Sequence, residues 1–482
     1  MTSPVSSPSP ADAPIRSATT VPPAVADTLL AEILGRPAAH AALGQLCDTV
    51  GGRPAGGEQA RAAEEWAHGL LTSWGLHDVR FDPFQITAWA RGSLVADVVA
   101  PSTWALSAFA HGNCPAEADV TGDVLDVGHA EPADWERLGE AVRGRVALAD
   151  EDASAGVRVR HRSEKLAAAA AHGAAALLIH SRDPGNIART GVCADGPAAI
   201  PSLGISLEDG LRLKRLLAGG AVPRVHVAMR NTFAPSTTRT VLADLPGAER
   251  PDEIVLAGGH LDSWDVAQGA TDNGLGSAIV LEMARALAVL HARGIRPRRT
   301  LRFALWAAEE IGLCGSHHYV DTNKAALDAH AAVMNFDMTG DPYGYWTPGH
   351  APHPLLAALA DQLAPLGMLR AFDDKAGLHS DHEPFMLEGV PVVGLRAVLP
   401  SNVGRYYHGI GDTFDKVAVA PFARAACVGA HTLWALADAP ERPLPRLAPP
   451  AVRRMLERAD LVEALTVAGY DGPAMRAAAA GA

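Results

Sequence analysis

Four residues with metal-binding side chains each follow or end a short apolar run in the second half of the chain: His260, Glu309, Glu310 and Asp337. In open α/β sheets, polar side chains gather where strands end at their carboxyl edge, because the loops there turn them over a rigid platform. Neutral imidazole and carboxylates are natural ligands of zinc. A single histidine at a strand end is more often structural, but several such ends together predict a metal site.

Two aspartates near His260 in the sequence extend this set. Asp272 lies in the Gly-rich stretch QGATDNGLG, where the backbone can pass close to a metal pair. Two cations a few ångströms apart need a bridging carboxylate to reduce their repulsion, and Asp272 suits that position. Asp262 is expected to orient the imidazole of His260 through its other nitrogen. Standing alone, either aspartate would be interpreted as a loop or helix N-cap residue.

The adjacent acids Glu309 and Glu310 are the strongest indication of a metal site within a short stretch of sequence. Two neighbouring carboxylates after a buried strand are costly unless a cation compensates their charge. Side chains of adjacent residues point in different directions. One glutamate can therefore bind metal while its neighbour reaches a water molecule, which is the division expected of a ligand and a general base.

Two other hydrolytic chemistries lack their motifs. The string HEPFM at 382–386 departs from the H-E-x-x-H motif of single-zinc proteases, and GISLE at 204–208 lacks the final glycine of a serine nucleophile elbow. Four polar residues could line the cleft, although packing within a loop is at least as typical of them: His379, Ser380, Asp381 and His382.

Short runs rich in Val, Ile, Leu or Phe predict the strands that position these residues: 253–259, 299–307, 331–337 and 390–395. Helices are predicted between them at 274–293, 312–323 and 353–366. Helical periodicity also covers residues 27–75 around the break GGRPAGG. One face of that region is marked by Trp66, Leu70, Leu71 and Trp74.

Residues 105–234 have a different order of predicted elements, in which strand, helix, strand and strand follow each other closely. This region could belong to the catalytic sheet. Because the catalytic motifs resume only after residue 250, an inserted domain is the preferred interpretation. The Ser-, Pro- and Ala-rich residues 1–26 are predicted to be disordered, and residues 441–482 to form a peripheral tail.

Length and composition exclude several classes of protein. A chain of 482 residues suggests two or three compact units. The net charge of -13, without a block of Lys and Arg, argues against a nucleic-acid partner. No continuous apolar core of a signal peptide and no membrane-spanning run is found, so a cytoplasmic location without membrane attachment is expected. The five cysteines are scattered and contain no C-x-x-C pair.

Five ordered motifs resemble those of the co-catalytic zinc exopeptidases, which include aminopeptidase Y, carboxypeptidase Q and glutamate carboxypeptidase: GGHLDSWDVAQGATDNGLGSA, ALWAAEEIGLCGS, NFDMTG, HSDHEPF and YYHGIGDTFDKV. The resemblance implies an α/β fold with a mixed central β-sheet flanked by helices, of the zinc exopeptidase (phosphorylase/hydrolase-like) type. It implies two zinc ions per chain, with Glu309 as general base and with metal ligands at His260, Asp272, Glu310, Asp337 and His408. Relatives also hold the peptide after the bridging aspartate, here Asp272–Asn273, in the cis form. The string Gly409-Ile410-Gly411 departs from the polar residue usual there and affects only local loop structure.

Residues 105–234 resemble the β-rich protease-associated (PA) domain that many such enzymes carry as an insertion. The expected order is therefore a disordered segment (1–26), the first part of the peptidase domain (27–104), the PA domain (105–234), the second part with all metal ligands (235–440) and a tail (441–482).

The resemblance implies a peptide substrate, with aminopeptidase action as the first choice and carboxypeptidase or dipeptidase action as the alternative. A non-catalytic binding protein on the same scaffold, action on other amides, and cyclisation of N-terminal glutamine are the further alternatives. A homodimer is common among such enzymes, but no residue in the sequence identifies a contact surface.

Overall fold

The computed structural model describes residues 20–479. Most of the segment predicted to be disordered, residues 1–19, lies outside the described residues. The predicted end of this segment at residue 26 is wrong, because the first helix already begins at Pro23 and buries Val25 and Ala26.

Helices lie on both sides of the main sheet and within the inserted region. In chain order they are α1 (Pro23–Gly35), α2 (Ala38–Thr49), α3 (Glu58–Ser73), α4 (Pro132–Leu138), α5 (Arg162–Ala171), α6 (Leu207–Ala218), α7 (Gly276–Ala292), α8 (Cys314–Thr322), α9 (Pro354–Gln362), α10 (Glu383–Leu387), α11 (Ser401–Gly404), α12 (Val419–Asp438), α13 (Pro449–Arg458), α14 (Val462–Val467) and α15 (Pro473–Ala479).

The strands form one large mixed sheet and one small sheet. In chain order they are β1 (His77–Ala100), β2 (Trp104–Ala105), β3 (Ala108–Ala110), β4 (Glu117–Asp126), β5 (Val146–Asp150), β6 (Ala176–His180), β7 (Ser202–Ile205), β8 (Arg224–Leu245), β9 (Arg250–His260), β10 (Arg299–Trp306), β11 (His330–Asn335), β12 (Asp341–Trp346), β13 (Phe372–Asp373) and β14 (Gly394–Val398).

The catalytic part of the large sheet has the order β11-β9-β10-β8. Strand β9 runs parallel to β10 and β11, whereas β10 and β8 are antiparallel, so the predicted mixed α/β sheet is confirmed. In this register His260 lies opposite Trp306. The parallel strands therefore end together at one edge of the sheet.

Both faces of this sheet are covered, as its apolar strands require. Val241, Ala243 and Leu245 of β8 pack into a large core with α1, α2, α7 and α12. The intervening Leu242 packs on the opposite face with Trp306 and Tyr319. The period of two along β8 thus places a helix-covered core on each side.

A long antiparallel ribbon of β1 and β8 connects this sheet to the inserted region. Strand β8 then pairs with β4, and the order continues β5-β6-β7-β3. None of the strands β3–β7 pairs with β9 or β10 in the described residues. The region has a core of its own, which extends from Ala96 to Met229. It contains α4, α5 and α6 as well as strands, so it is more helical than the predicted β-rich unit.

Two sequence-based expectations about peripheral segments were wrong. Residues 390–395 do not form a strand of the main sheet, because β14 pairs with β12 in the small sheet and only Val392 bridges to β11. The segment 441–482 is more than a tail, because α13–α15 bury Leu456 and Leu465 against Met386 and Val392.

The helical segment Ala270–Ala292 is long and apolar enough to span a membrane by length and composition. Within that segment, 83% of the apolar window is buried inside the protein, as in a core helix.

Candidate metal centre

The predicted metal-binding residues converge at the carboxyl edge of the catalytic sheet. His260 is the last residue of β9, and Asp337 follows β11 by two residues. Glu309 and Glu310 follow β10 through Ala308, whose φ of 59° turns the chain over the edge. Parallel strands ending side by side therefore bring residues far apart in sequence into one site.

Asp272 and His408 come from loops above this edge. Asp272 lies in the turn Ala270–Leu275 that leads into α7, and its peptide bond to Asn273 is cis, as expected. His408 lies between α11 and α12 and has a φ of 53°. All six residues assigned as ligands or base thus lie in one cluster, which includes two groups of possible ligands.

The carboxylate of Asp272 lies between two histidines. Its Oδ1 is 3.3 Å from His260 Nε2, and its Oδ2 is 3.0 Å from His408 Nε2. Asp337 Oδ1 completes the His260 side at 3.5 Å, and Glu310 Oε2 completes the His408 side at 3.2 Å. Asp272 thus directs one carboxylate oxygen towards each histidine.

Glu309 lies on the His260 side, with Oε2 3.8 Å from His260 Nε2. Burial, together with the charges of Asp337 and Glu310, raises the pKa of Glu309 well above its ordinary value. Burial and the charge of Asp272 raise the pKa of Glu310 to about 7. Carboxylates this close hold protons unless cations compensate them.

The residues present fit a pair of zinc ions. The buried Glu310 Oε1 has no hydrogen-bond partner, so one strong acceptor is free for a cation. The donor set consists of imidazole nitrogen and carboxylate oxygen, which zinc binds readily.

Asp262 supports the centre through the backbone. Its carboxylate accepts the N–H groups of Glu309 at 3.1 Å and Glu310 at 3.2 Å. The carboxylate lies 3.7 Å from His260 Nδ1, too far for a hydrogen bond, whereas the Asp262 carbonyl oxygen lies at 3.1 Å. The backbone of Asp262, and not its side chain as predicted, orients the imidazole.

The four polar residues of the HSDH string take different positions. Ser380 Oγ donates to Asp337 Oδ2 at 2.6 Å, and His379 and His382 line the cleft. Asp381 is buried and both of its oxygens lack hydrogen-bond partners. Burial raises the pKa of Asp381 to about 8.

Two supporting residues were missed by the sequence analysis. Asp412 accepts the backbone N–H groups of Thr271 at 2.6 Å and Asp272 at 3.0 Å, and thereby fixes the bridging loop. Arg53, in the break GGRPAGG, is fully buried and donates to the carbonyls of Leu261 and Gly269. Neither residue could be identified from its neighbours in the sequence, because each contacts a segment far away in the sequence.

The inserted region forms one wall of the cleft, which has a volume of about 480 Å³. It contributes His161, Arg162 and Val192 to the lining. The carbonyl oxygen of Thr190 lies 3.2 Å from His408 Nδ1, and the N–H of Thr190 donates to the His408 carbonyl at 2.9 Å. The insertion therefore also holds a predicted metal ligand.

Comparisons with known proteins agree with this arrangement. Residues 240–432 match the model of peptidase family M28, and residues 92–213 match the PA domain, which begins and ends earlier than the predicted 105–234. Carboxypeptidase Q of Rattus norvegicus is 32% identical over 415 residues, 84% of this chain and 86% of that protein.

Two solved structures are also similar. A peptidase M28 precursor from Shewanella amazonensis has a TM-score of 0.78 and 28% identity, covering 88% of this chain and 98% of that one. A zinc aminopeptidase from Bacillus subtilis, at 22% identity and a TM-score of 0.62, covers 82% of this chain and 93% of that one and shares the fold. On the carboxypeptidase Q match and these folds, the chain belongs to peptidase family M28, is a peptide hydrolase and carries a PA domain.

Proposed function

We propose that the protein is a zinc-dependent exopeptidase that acts on short peptides and binds two zinc ions per chain. The ligands are His260, Asp272, Glu310, Asp337 and His408. The observation that carries the proposal is the position of the Asp272 carboxylate, whose two oxygens face His260 Nε2 at 3.3 Å and His408 Nε2 at 3.0 Å. A carboxylate shared in this way is what two neighbouring cations require.

In this proposal Glu309 is the general base. When bound, zinc polarises the scissile carbonyl and lowers the pKa of a water molecule. Glu309 lines the cleft beside His260, where its carboxylate would take a proton from the attacking water and pass it to the leaving amine. Its neighbour Glu310 is buried against His408 and serves as a ligand.

Two alternatives are open for the end of the peptide at which the enzyme acts. Aminopeptidase action is the first choice made from the sequence. The similarity to rat carboxypeptidase Q over 86% of that protein supports the carboxypeptidase or dipeptidase alternative. Terminus preference depends on the side chains of the cleft wall, which the ligand motifs do not specify.

The first test separates the two neighbouring glutamates. Glu309→Gln keeps size and hydrogen bonding but removes the proton acceptor, so kcat is expected to fall by about 10²- to 10⁴-fold with both zinc ions retained. Glu310→Gln replaces a charged ligand by a neutral one and is expected to lower zinc occupancy at one site. The measurements are zinc per chain by elemental analysis and turnover of free dipeptides.

Glu140→Gln, an exposed change in the PA region, is the matched control and should alter neither quantity. The roles are reversed if Glu309→Gln loses zinc and Glu310→Gln retains it. If the zinc-loaded protein turns over no peptide at all, a binding protein on the same scaffold becomes the better description.

A further inference from the structure

Two buried cysteines of the PA region lie on neighbouring backbone segments. Cys114 and Cys193 are 0% and 1% exposed and belong to the core of that region. Gly112 and Val192 form a parallel β-bridge, and the N–H of Cys193 donates to the Gly112 carbonyl at 3.1 Å. The fold therefore brings together two thiols that are far apart in the sequence.

The two sulfur atoms are close to each other. Cys193 Sγ lies 3.1 Å from the carbonyl oxygen of Gly112, two residues before Cys114. Cys114 Sγ lies 3.0 Å from the carbonyl oxygen of Ser202. A hydrogen bond between the two thiols lowers the pKa of Cys114 and raises the pKa of Cys193. Thiols in hydrogen-bond contact have only a short distance to move before an S–S bond can form.

The three other cysteines belong to the peptidase region and are in a different state. Burial raises the pKa of Cys47 to about 11 and the pKa values of Cys314 and Cys427 to about 12. Such thiols react poorly, because the thiolate is the nucleophilic form. The hydrogen bond from Cys193 acts in the opposite direction on Cys114. Cys114 is therefore the thiol best suited to attack another sulfur atom.

Both segments that carry the thiols also contact the surroundings of the candidate metal centre. The N–H of Thr190, three residues before Cys193, donates to the carbonyl of His408 at 2.9 Å. Gly112 lies against Trp264, because a Cβ built on this glycine would be 2.1 Å from the indole ring. The rings of Trp264 and His408 are 5.9 Å apart between centroids. A covalent bond between the two segments would therefore fix one wall of the cleft.

We propose that Cys114 and Cys193 are a site of oxidative modification, at which a peroxide or a small-molecule disulfide closes a reversible disulfide bond. This inference goes beyond the proposed zinc exopeptidase function and does not depend on it. With oxidised glutathione, the Cys114 thiolate attacks one sulfur and releases the first glutathione thiolate. The Cys193 thiolate then attacks the Cys114 sulfur and releases the second.

In this exchange the two cysteine thiols lose two electrons and two protons, and glutathione disulfide gains them to become two thiols. With hydrogen peroxide, Cys114 passes through a sulfenic acid and the products are the disulfide and two water molecules. The bond closes the loop from residue 114 to residue 193, which includes β4, β5 and β6. Closure of a long loop restricts the unfolded chain, so the oxidised protein should be more stable than the reduced one.

The test uses the full chain, first reduced and then incubated with oxidised glutathione until the thiol count is constant, because buried thiols react only as the core opens locally. The number of free thiols in the denatured protein should fall from five to three per chain. Peptide mapping by mass spectrometry should find the peptide of Cys114 linked to that of Cys193. The midpoint of thermal unfolding should rise by about 5 to 10 °C, and dithiothreitol should reverse all three changes.

Cys193→Ala leaves Cys114 without its partner thiol, so no linked peptide and no rise in the unfolding midpoint are expected. Cys427→Ala, which removes a buried thiol of α12, is the matched control and should still lose two thiols and gain the same thermal shift. Five free thiols in the oxidised wild type, a link between other cysteines, or a lasting glutathione adduct on Cys114 would overturn the inference. An equal thermal shift in Cys193→Ala would overturn it as well.

Discussion

At the scale of single residues, the candidate ligands depend on side-chain and backbone groups of residues outside the candidate metal centre. Asp412 holds the backbone of the bridging Asp272, Ser380 donates to Asp337, and Thr190 accepts from His408. Partners of this kind fix the orientation of a ligand and commonly change metal affinity when they are lost.

Asp262→Asn tests such a partner. The wild-type carboxylate accepts two N–H groups, from Glu309 and Glu310, whereas an amide has one oxygen and turns an NH₂ group towards one of these donors. We expect zinc affinity to fall by about 10- to 100-fold with the fold retained. The measurement is competition with a chelator of known affinity. Unchanged affinity would contradict a supporting role for the Asp262 side chain.

At the scale of elements, strand ends position polar groups in the PA region as well as in the catalytic sheet. Asp150 ends β5 and His180 ends the neighbouring β6, with His180 Nε2 2.6 Å from Asp150 Oδ1. Lys214 of α6 also pairs with Asp150, and His129 Nδ1 lies 3.5 Å away. This cluster joins β5, β6 and α6 within the PA region.

Asp150→Asn should destabilise the PA region in a pH-dependent way. Burial raises the pKa of Asp150, but the hydrogen bonds and charges of His180 and Lys214 outweigh burial and hold that pKa below its ordinary value. A carboxylate with a lowered folded-state pKa stabilises the fold above its unfolded pKa of about 3.9 and loses this contribution as pH falls towards the folded value.

We therefore expect a loss of about 1 to 3 kcal/mol in the free energy of unfolding at pH 7 and a smaller difference from wild type below about pH 4. Thermal unfolding at both pH values measures it. Asp119→Asn, at an exposed position of the same region, is the control. A difference that does not depend on pH would show that the carboxylate charge is not the cause.

The C-terminal helices α13–α15 are a second case in which an element supports the fold. Leu456 of α13 is fully buried in the cluster with Met386 and Val392. Leu456→Ala should cost about 2 to 5 kcal/mol because it leaves a cavity. Val467→Ala, 47% exposed at the end of α14, should change stability by less than about 0.5 kcal/mol. Equal effects in chemical denaturation would argue that the segment is a peripheral tail after all.

At the scale of the whole molecule, the candidate centre joins segments from the entire described chain. Arg53 from the first part, Thr190 from the PA region and His408 from the last part all contact it or its loops. A metal pair bound here would stabilise the native state and not the unfolded chain.

Removal of zinc by a chelator should therefore abolish activity and lower the midpoint of thermal unfolding, and added zinc should restore both. Acid should also release the metal, because histidine and carboxylate ligands must be deprotonated to bind it. Differential scanning calorimetry and peptide turnover on the same samples measure the two effects. Full activity in zinc-free protein would contradict the proposed function.

The sequence by itself determined which residue types end the catalytic strands and in which order they follow. His260, the pair Glu309–Glu310 and Asp337 each come directly after or at the end of an apolar run, and such runs predict buried strands wherever both faces of a sheet are covered. The strands at 253–259 and 299–307 and the helix at 274–293 were predictable for the same reason. Burial of an element imposes a regular spacing of apolar residues along it.

The tertiary structure alone decided the rest, because the interactions involved join segments that no local pattern connects. The ribbon of β1 and β8 has mostly exposed or half-buried residues along β1, so it lacks the apolar run that marks a strand. Asp412, Thr190 and Arg162 act on residues more than a hundred positions away, and the contacts of Thr190 and Arg162 cross the interface between the PA region and the peptidase region. Whether a charged side chain such as Arg162 is paired or free depends on which distant carboxylates the fold brings near it, and that is a property of the folded chain.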